Sequence, residues 1–161
     1  MAIQSNILDG IIALVQGTTG SGRTVTAALF KHREESLEEV GPQAAAKTPR
    51  PFELTDYAGT ESLDTPSNVS GSEVYGAAEV LLRVGYAGKP TKQHTTRKAI
   101  LDQERTLRRA LEWPPNWVIT SGWVGCVVGD SAIEDISEDD DFQHLALEIP
   151  LTIDWRDNRT T

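Results

Sequence analysis

The chain has 161 residues, of which 39% are hydrophobic and 24% charged, an ordinary composition for one globular domain with its own core. Its net charge of −9 disfavours direct binding to DNA, which needs basic patches that displace counterions. No apolar run approaches the roughly 18 residues that would span a bilayer, and the single cysteine, Cys126, excludes an intrachain disulfide.

The N-terminal residues are predicted to form a helix from about Asn6 to Gln16. Ser5 has the side chain of an N-cap, and Gly17 ends the apolar pattern. Beyond a small, polar loop, alternating residues predict a strand from Arg23 to Arg33. The apolar stripe of the helix contains Ile7, Leu8, Ile11, Ile12 and Val15.

The loop Gly17–Thr24 carries the sharpest motif in the chain. Its sequence matches the phosphate-binding pattern G-x-x-x-x-G-K-[ST], except that Arg23 replaces the lysine. A phosphate-binding loop follows a strand and opens a helix, whereas this one follows a helical pattern and precedes a strand pattern. A flexible turn is therefore the favoured interpretation, and a small phosphate-binding enzyme is the alternative.

Residues 36–72 are the least regular part of the sequence. They contain four of the eight prolines and many Gly, Ser, Thr, Asp and Glu residues. A connection of this length without secondary structure is unusual inside a compact domain. We therefore expect a long extended arm that rests on a neighbouring subunit or partner.

The middle of the chain predicts a strand and then a helix. Residues from Ser72 to Tyr86 alternate between two faces, as in a strand. The helix is expected to begin at a cap formed by Thr95 or Thr96 and to end at about Glu112, before two consecutive prolines. Its core-facing residues are Ile100, Leu107 and Leu111.

Two more strands complete the predicted order. Asn116 to Asp130 reads as a strand with a break at Ser121-Gly122. In the last strand, Leu145–Trp155, every second residue is large and apolar, which indicates one buried face. Pro150 has no N–H to donate, so this strand is predicted to be a sheet edge, or Pro150 to occupy an outward-facing or bulged position. An edge strand of this length is expected to pair with another copy or a neighbour.

Together these elements predict a single α+β domain over residues 1–161. We expect a mostly antiparallel sheet of four to five strands, with two helices packed on one face and the long arm at about 36–72.

Candidate interface or channel residues come from charge and aromatic patterns. Their structural alternatives are a solvated hairpin tip, a solvated helix face and core packing. The acidic segment before the last strand contains Glu134, Asp135, Glu138, Asp139, Asp140 and Asp141. The basic and aromatic candidates are Arg97, Arg105, Arg108, Arg109, Trp113 and Trp117, because charge complementarity and tryptophan both favour interfaces.

No catalytic residue, metal ligand set or cofactor is predicted from these patterns. His32, His94 and His144 are far apart and lack metal-ligand spacing. The acidic segment lacks the glycine and ligand order of a calcium-binding loop. The apolar neighbours of Cys126 favour a buried side chain over a catalytic thiol.

Several pieces of the chain follow one another in a recognisable order. They are the short helix with Ile7, Ile11 and Leu14, a strand, a long insertion, the strand ending Leu81-Leu82-Arg83-Val84-Gly85-Tyr86, the helix through Leu107 and Leu111, and the strand Leu145–Trp155 after an acidic turn. This layout resembles the lambda-type tail terminator proteins of long-tailed bacteriophages. The resemblance spans most of the chain, but residues 36–72 match no specific family element, and related neck and tail-completion proteins share similar layouts.

This resemblance implies a structural virion protein, assembled in the host cytoplasm, that forms a six-membered ring at the top of the tail tube. The ring would end tube polymerisation and offer a docking surface to the head. The implied partners are other copies, the tail tube protein and a head-closure or neck protein. Genomic DNA would pass through without specific binding, and no membrane, cofactor or enzyme activity is implied. A head-closure or adaptor ring is the alternative.

Overall fold

The computed structural model describes residues 3–19, 27–63, 73–119 and 123–158. Within these ranges the chain forms helices and strands that alternate irregularly, with short 3-10 helices at Pro90–Lys92 and Pro114–Ile119. In chain order the other elements are α1 (Ile3–Gln16), β1 (Phe30–His32), α2 (Leu37–Val40), α3 (Pro42–Ala45), β2 (Arg50–Leu63), β3 (Glu73–Gly88), α4 (Gln93–Glu112), β4 (Trp123–Val128), β5 (Ala132–Asp135) and β6 (Gln143–Asn158).

The strands form one curled, mixed sheet in the order β1-β2-β3-β6-β4, with β5 also paired to β6. Among the described strands only β1 and β2 run parallel to each other, so the prediction of an α+β domain with a mostly antiparallel sheet is confirmed. The described sheet has six strands, not four to five. Two of the six strands were not predicted. They are β2, which lies in the segment expected to be an arm, and β5, which includes Glu134 and Asp135 from the segment expected to be a hairpin tip.

The central pair of the sheet is β3 with β6, each 16 residues long and paired over its full length. Their alternating apolar residues lie directly opposite each other on one face, called here the first face. Large side chains at these positions are removed from water together, which is a main source of folding free energy. The pairs are Ala78 with Ile153, Val80 with Leu151, Leu82 with Ile149, Val84 with Leu147, and Tyr86 with Leu145.

The buried face predicted for the last strand is confirmed, but its predicted edge position is wrong. β6 lies between β3 on one side and β4 and β5 on the other. Pro150 lies between Glu148, where the pairing of β6 with β5 ends, and Leu151, where its pairing with β4 begins. The Pro150 carbonyl points to this gap and accepts from the Gly129 N–H at 2.8 Å. In an antiparallel strand the N–H of a residue points the same way as its C=O, so the missing donor faces this junction rather than β3.

The helices cover both faces of the sheet. α1 and α4 pack on the first face, where Ile7, Ile11, Ile100 and Leu107 join the core with β3 and β6. The prediction of two helices on one face thus accounts for α1 and α4 but not for α2 and α3. The short helices α2 and α3 cover part of the opposite, second face, where Leu37 and Ala45 lie directly above Gly85 of β3.

The extended arm expected at about 36–72 is not an arm over most of its length. Residues 37–45 form α2 and α3, and residues 50–63 form β2, which pairs with β3 inside the sheet. Phe52 and Glu53 of this strand are buried on opposite faces. The sequence pattern of β2 is interrupted because a bulge inserts Asp56 and Tyr57 opposite one residue of β3, with Asp56 at φ 55°. Residues 64–72 lie outside the described ranges.

Several element boundaries also differ from prediction. α1 begins at Ile3, so Ser5 lies inside the helix, and α4 begins at Gln93, so Thr95 and Thr96 are not caps. A 3-10 turn opened by Pro90 precedes α4, because proline sets a helical φ at a first turn. For the same reason Pro114–Ile119 is a 3-10 helix rather than part of a strand.

The strand expected at residues 23–33 is confirmed only at Phe30–His32. Residues 23–26 and 120–122 lie outside the described ranges.

Gly76 provides a test of the packing around the central strands. A Cβ built at Gly76 would lie 2.5 Å from the Trp155 indole on β6 and would also clash with the Thr60 carbonyl on β2. We expect Gly76→Ala to lower the free energy of unfolding by roughly 1–3 kcal/mol in urea titrations. Gly125→Ala, whose Cβ would meet only Asp154 at 3.4 Å, is the control and should cost less. Equal effects of the two changes would contradict this packing.

Candidate functional site

The sheet has an open edge at each end. At one end is β4, whose Val124 and Val127 side chains are 49% and 61% exposed. At the other end, β1 covers β2 only at Arg50–Phe52. Among the described residues, no strand lies on the outer side of β2 beyond Phe52. Within the described residues, no further strand pairs with the outer side of β4 or with this part of β2, so both edges leave backbone donors and acceptors without a strand partner.

A basic ridge runs along the solvent side of α4. Its residues are spaced four apart, so they form one row on the helix surface. Two members are apolar and strongly exposed, Leu101 at 62% and Trp113 at 59%. The arginines of the row are also exposed and form no ion pair with another described residue. The basic ridge comprises Arg97, Leu101, Arg105, Arg109 and Trp113.

Arg108, predicted with these arginines, has a different role. Its guanidinium contacts the Glu104 carboxylate at 3.2 Å and donates to the carbonyls of Val128 at 3.3 Å and Gly129 at 3.1 Å. Ser131 completes the group by donating to Glu104. Arg108 thus fastens α4 to the turn between β4 and β5.

The two tryptophan candidates also separate. Trp113 is exposed beside Arg109, whereas Trp117 is half-buried against the core and donates its indole N–H to the Leu111 carbonyl at 2.9 Å. Asn116 donates to the Ala110 carbonyl at 2.8 Å. Trp117 and Asn116 therefore satisfy carbonyls at the C-terminus of α4, which have no partner inside the helix.

The acidic segment, residues 134–141, divides into structural and unengaged carboxylates. Asp135 accepts from the backbone N–H of Ser137 at 2.9 Å and from its hydroxyl, which lower the pKa of Asp135. Asp139 accepts from the backbone N–H groups of Asp141 at 3.0 Å and Phe142 at 3.3 Å, so it shapes the turn. The exposed carboxylates of Glu138, Asp140 and Asp141 bond to no other described residue.

The acidic segment and the basic ridge lie on opposite sides of the sheet. Asp139 and Asp141 border a groove with Val40 and Gln43, near the α2–α3 pair on the second face. The ridge points outward from the helix that covers the first face. The two charged surfaces therefore do not meet within one chain.

Arg83 forms a charged cluster that the sequence reasoning missed. This β3 residue is 9% exposed and lies on the second face among four glutamates. The Arg83 Nε lies 3.3 Å from Glu148 as an ion pair without hydrogen-bond alignment. The guanidinium NH groups approach the carboxylates of Glu53 at 2.6 Å, Glu38 at 3.1 Å and Glu134 at 3.4 Å.

The cluster ties the second-face helices to the sheet. Glu53 also accepts from the Leu37 N–H at 2.9 Å, so one buried carboxylate holds both Arg83 and the start of α2. The hydrogen bond from Arg83 lowers the pKa of Glu38. Burial alone would lower the pKa of Arg83, but its hydrogen bonds to Glu38 and Glu53 outweigh burial and raise it. One signal was visible: a charged residue inside the apolar run Leu81-Leu82-Arg83-Val84.

Other candidate chemistry groups are core or helix-end residues. Burial raises the pKa of Cys126 to about 12, so its thiol stays protonated at neutral pH. Thr18, from the phosphate-loop motif, donates its hydroxyl to the Leu14 carbonyl at 3.0 Å at the end of α1. α1, rather than a strand, precedes this motif, of which residues 20–24 lie outside the described ranges.

The described part of the chain contains neither a candidate metal-binding group nor a helix that could cross a membrane. There, no group of three or more His, Cys, Asp or Glu side chains is arranged to hold a metal ion. None of the described helices has the length and apolar character needed to cross a membrane.

Neither a protein-family model nor a curated protein matches this chain.

Removing the Arg83 charge should destabilise the fold strongly. Arg83→Met leaves four carboxylates without a counter-charge, so we expect a loss of roughly 3–5 kcal/mol in the free energy of unfolding. Glu134→Gln removes a half-exposed partner of the same arginine and should change it by about 0.5 kcal/mol or less. Urea titrations at neutral pH compare the two variants. A loss no larger than that of the control would show that the cluster contributes little.

His144 makes the stability depend on pH. Its side chain is 3% exposed and Nε2 has no partner among the described residues. Burial lowers its pKa, opposed by the nearby Glu38 and Glu138 carboxylates. The unfolded chain therefore takes up the proton first as the pH falls, and the free energy of unfolding should decrease below about pH 6.5.

Stability should fall further at more acidic pH because of Glu38. Arg83 lowers the pKa of this carboxylate, and once the pH is low enough to protonate Glu38, its contact with Arg83 is lost.

The His144 contribution is measured at milder pH. In urea titrations from about pH 7.5 to about 5.5, His144→Gln should flatten the decrease in stability. The exposed His94→Gln serves as the control and should keep the wild-type profile. Identical profiles for both variants would rule out His144 as the cause.

Proposed function

We propose that this protein is a structural subunit of a bacteriophage tail, a tail terminator that forms a homo-oligomeric ring, six-membered by resemblance, at the top of the tail tube. The observation that carries the proposal is the pair of edges at opposite ends of the sheet, β4 and the outer side of β2, which no other described strand covers. The ring would end tube polymerisation and offer the head a docking surface, as the family resemblance implies.

Pairing of one sheet edge with the opposite edge of the next copy favours a ring over a simple dimer. When the β4 edge of one copy meets the β2 edge of the next, each subunit uses two different surfaces, which makes a heterologous contact. Such a contact generates a closed ring when the rotation that relates successive subunits brings the last copy back to the first. The exposed Val124 and Val127 on β4 would gain burial in this arrangement.

The net charge of −9 is compatible with the proposed role, because an acidic inner surface would let genomic DNA pass without holding it.

The partners in this proposal are other copies, the tail tube protein and a head-closure or neck protein. The protein would be assembled in the host cytoplasm, remain in the virion and act without a cofactor. A head-closure or adaptor ring would use the same open edges and is separated from a terminator by its effect on tube growth.

The proposal predicts a ring-sized mass that depends on the β4 edge. Light scattering across concentrations should give this mass for the purified protein, alone or after tail tube protein is added. Val127→Lys places a charge on the edge strand and should leave the protein folded but below ring size. Thr152→Lys, on the same face but on the inner strand β6, is the control and should still assemble.

Tube length in the presence of the protein completes this test. Wild-type protein should stop tube extension, and Val127→Lys should not. A strict monomer that ignores tube protein would overturn the proposal. A ring without effect on tube growth would favour the head-closure alternative.

A further inference from the structure

The basic ridge on α4 concentrates positive charge in a protein whose overall charge is strongly negative. Arg97, Arg105 and Arg109 follow one row of the helix without an ion pair to another described residue. The neighbouring Arg108 shows the contrast, because it is committed to Glu104 and to two carbonyls beside β4. The three ridge arginines are therefore available to a partner.

The ridge also has the composition of a contact surface. Leu101 lies between two of the arginines and Trp113 lies beyond the third, and both expose more than half of their surface. Tryptophan and arginine are the residue types most enriched where binding energy concentrates. An acidic partner with some apolar surface would match this row.

The chain itself carries such an acidic surface. In the acidic segment, Asp135 and Asp139 shape the turn, whereas Glu138, Asp140 and Asp141 are exposed and bond to no other described residue. Because the segment and the ridge lie on opposite sides of the sheet, these charges are complementary only between copies. A symmetric contact of ridge with ridge would place like charges together.

We propose that the basic ridge binds the acidic segment of a second copy of this chain, head to tail. This inference rests on the proposed ring and names the charged contact that would set its register. Complementary charges of this kind govern association rate and partner choice and weaken as salt rises. The contact uses different residues from the sheet edges, so it can be tested separately.

A charge swap tests the contact. Arg105→Glu/Arg109→Glu reverses the ridge, and Glu138→Lys/Asp140→Lys reverses the acidic segment while keeping the turn-forming Asp139. We expect each double variant alone to weaken self-association by about tenfold or more at low salt. Mixing the two variants, or combining all four changes in one chain, should restore it. Lys47→Glu/Lys89→Glu changes the net charge as the ridge variant does, away from the ridge, and should assemble like wild type.

The outcomes separate this inference from the proposed function. Unchanged assembly of the ridge variant, or no recovery on mixing, would overturn the charged contact even if the protein still ends tube growth. Recovery on mixing supports the contact even if tubes grow unaffected, in which case the terminator role fails alone. If the ridge variant assembles normally but loses binding to duplex DNA measured with a labelled oligonucleotide, the ridge serves phosphates and the inference is wrong.

Discussion

The pairing of β3 with β6 is the constraint on which the rest of the structure depends. These two strands are paired over their full length, and every other described strand except β1 pairs directly with one of them. Their register aligns the apolar residues of both strands on one face, where α1 and α4 close the core. A slip of one residue would move the whole apolar set of one strand to the opposite face, so the core and the register specify each other.

The same register places the charged features. Because Arg83 pairs with Glu53 on one side and with Glu148 on the other, three charged residues form a line across the second face. Glu38 and Glu134 then approach Arg83 from α2 and β5. The helices on this face are held by few apolar residues, chiefly Leu37 and Ala45, together with directed polar contacts to Glu53 and Arg83. The two faces are thus stabilised by different physical means.

Local patterns predicted the strongest elements well. The period-two run from Leu145 and the stripe of α4 identified buried faces, because each periodicity belongs to one secondary structure. Pair partners were not predictable in this way. Pro150 suggested an edge strand, yet it lies in the middle of the sheet at the junction between two neighbouring strands. β2 was overlooked because a bulge and several polar residues conceal its alternation.

The candidate site was predictable only in part. Charge runs located the acidic segment and the basic helix, but they could not tell Arg108, which holds β4, from the exposed arginines beside it. Nor could they show that Asp139 accepts hydrogen bonds within its own turn or that Trp117 donates to a carbonyl at the C-terminus of α4. These distinctions depend on partners distant in the chain. The Arg83 cluster brings together glutamates from four elements, so the sequence could signal the buried charge of Arg83 but not its distant partners.

The chain order of the central pair has a consequence for synthesis on the ribosome. Among the described strands β6 is the last to be made, and even its nearest partner residues, Gly88 and Gln143, are separated by α4, β4 and β5. The edge of β3 that pairs with β6 therefore has no strand partner until β6 has been synthesised. Closing so distant a pair is entropically slow, and the waiting hairpin of β2 and β3 exposes apolar surface and an unpaired edge. We therefore expect the nascent chain to be prone to aggregation before β6 emerges, and the central pair to form only after the other described strands have been made.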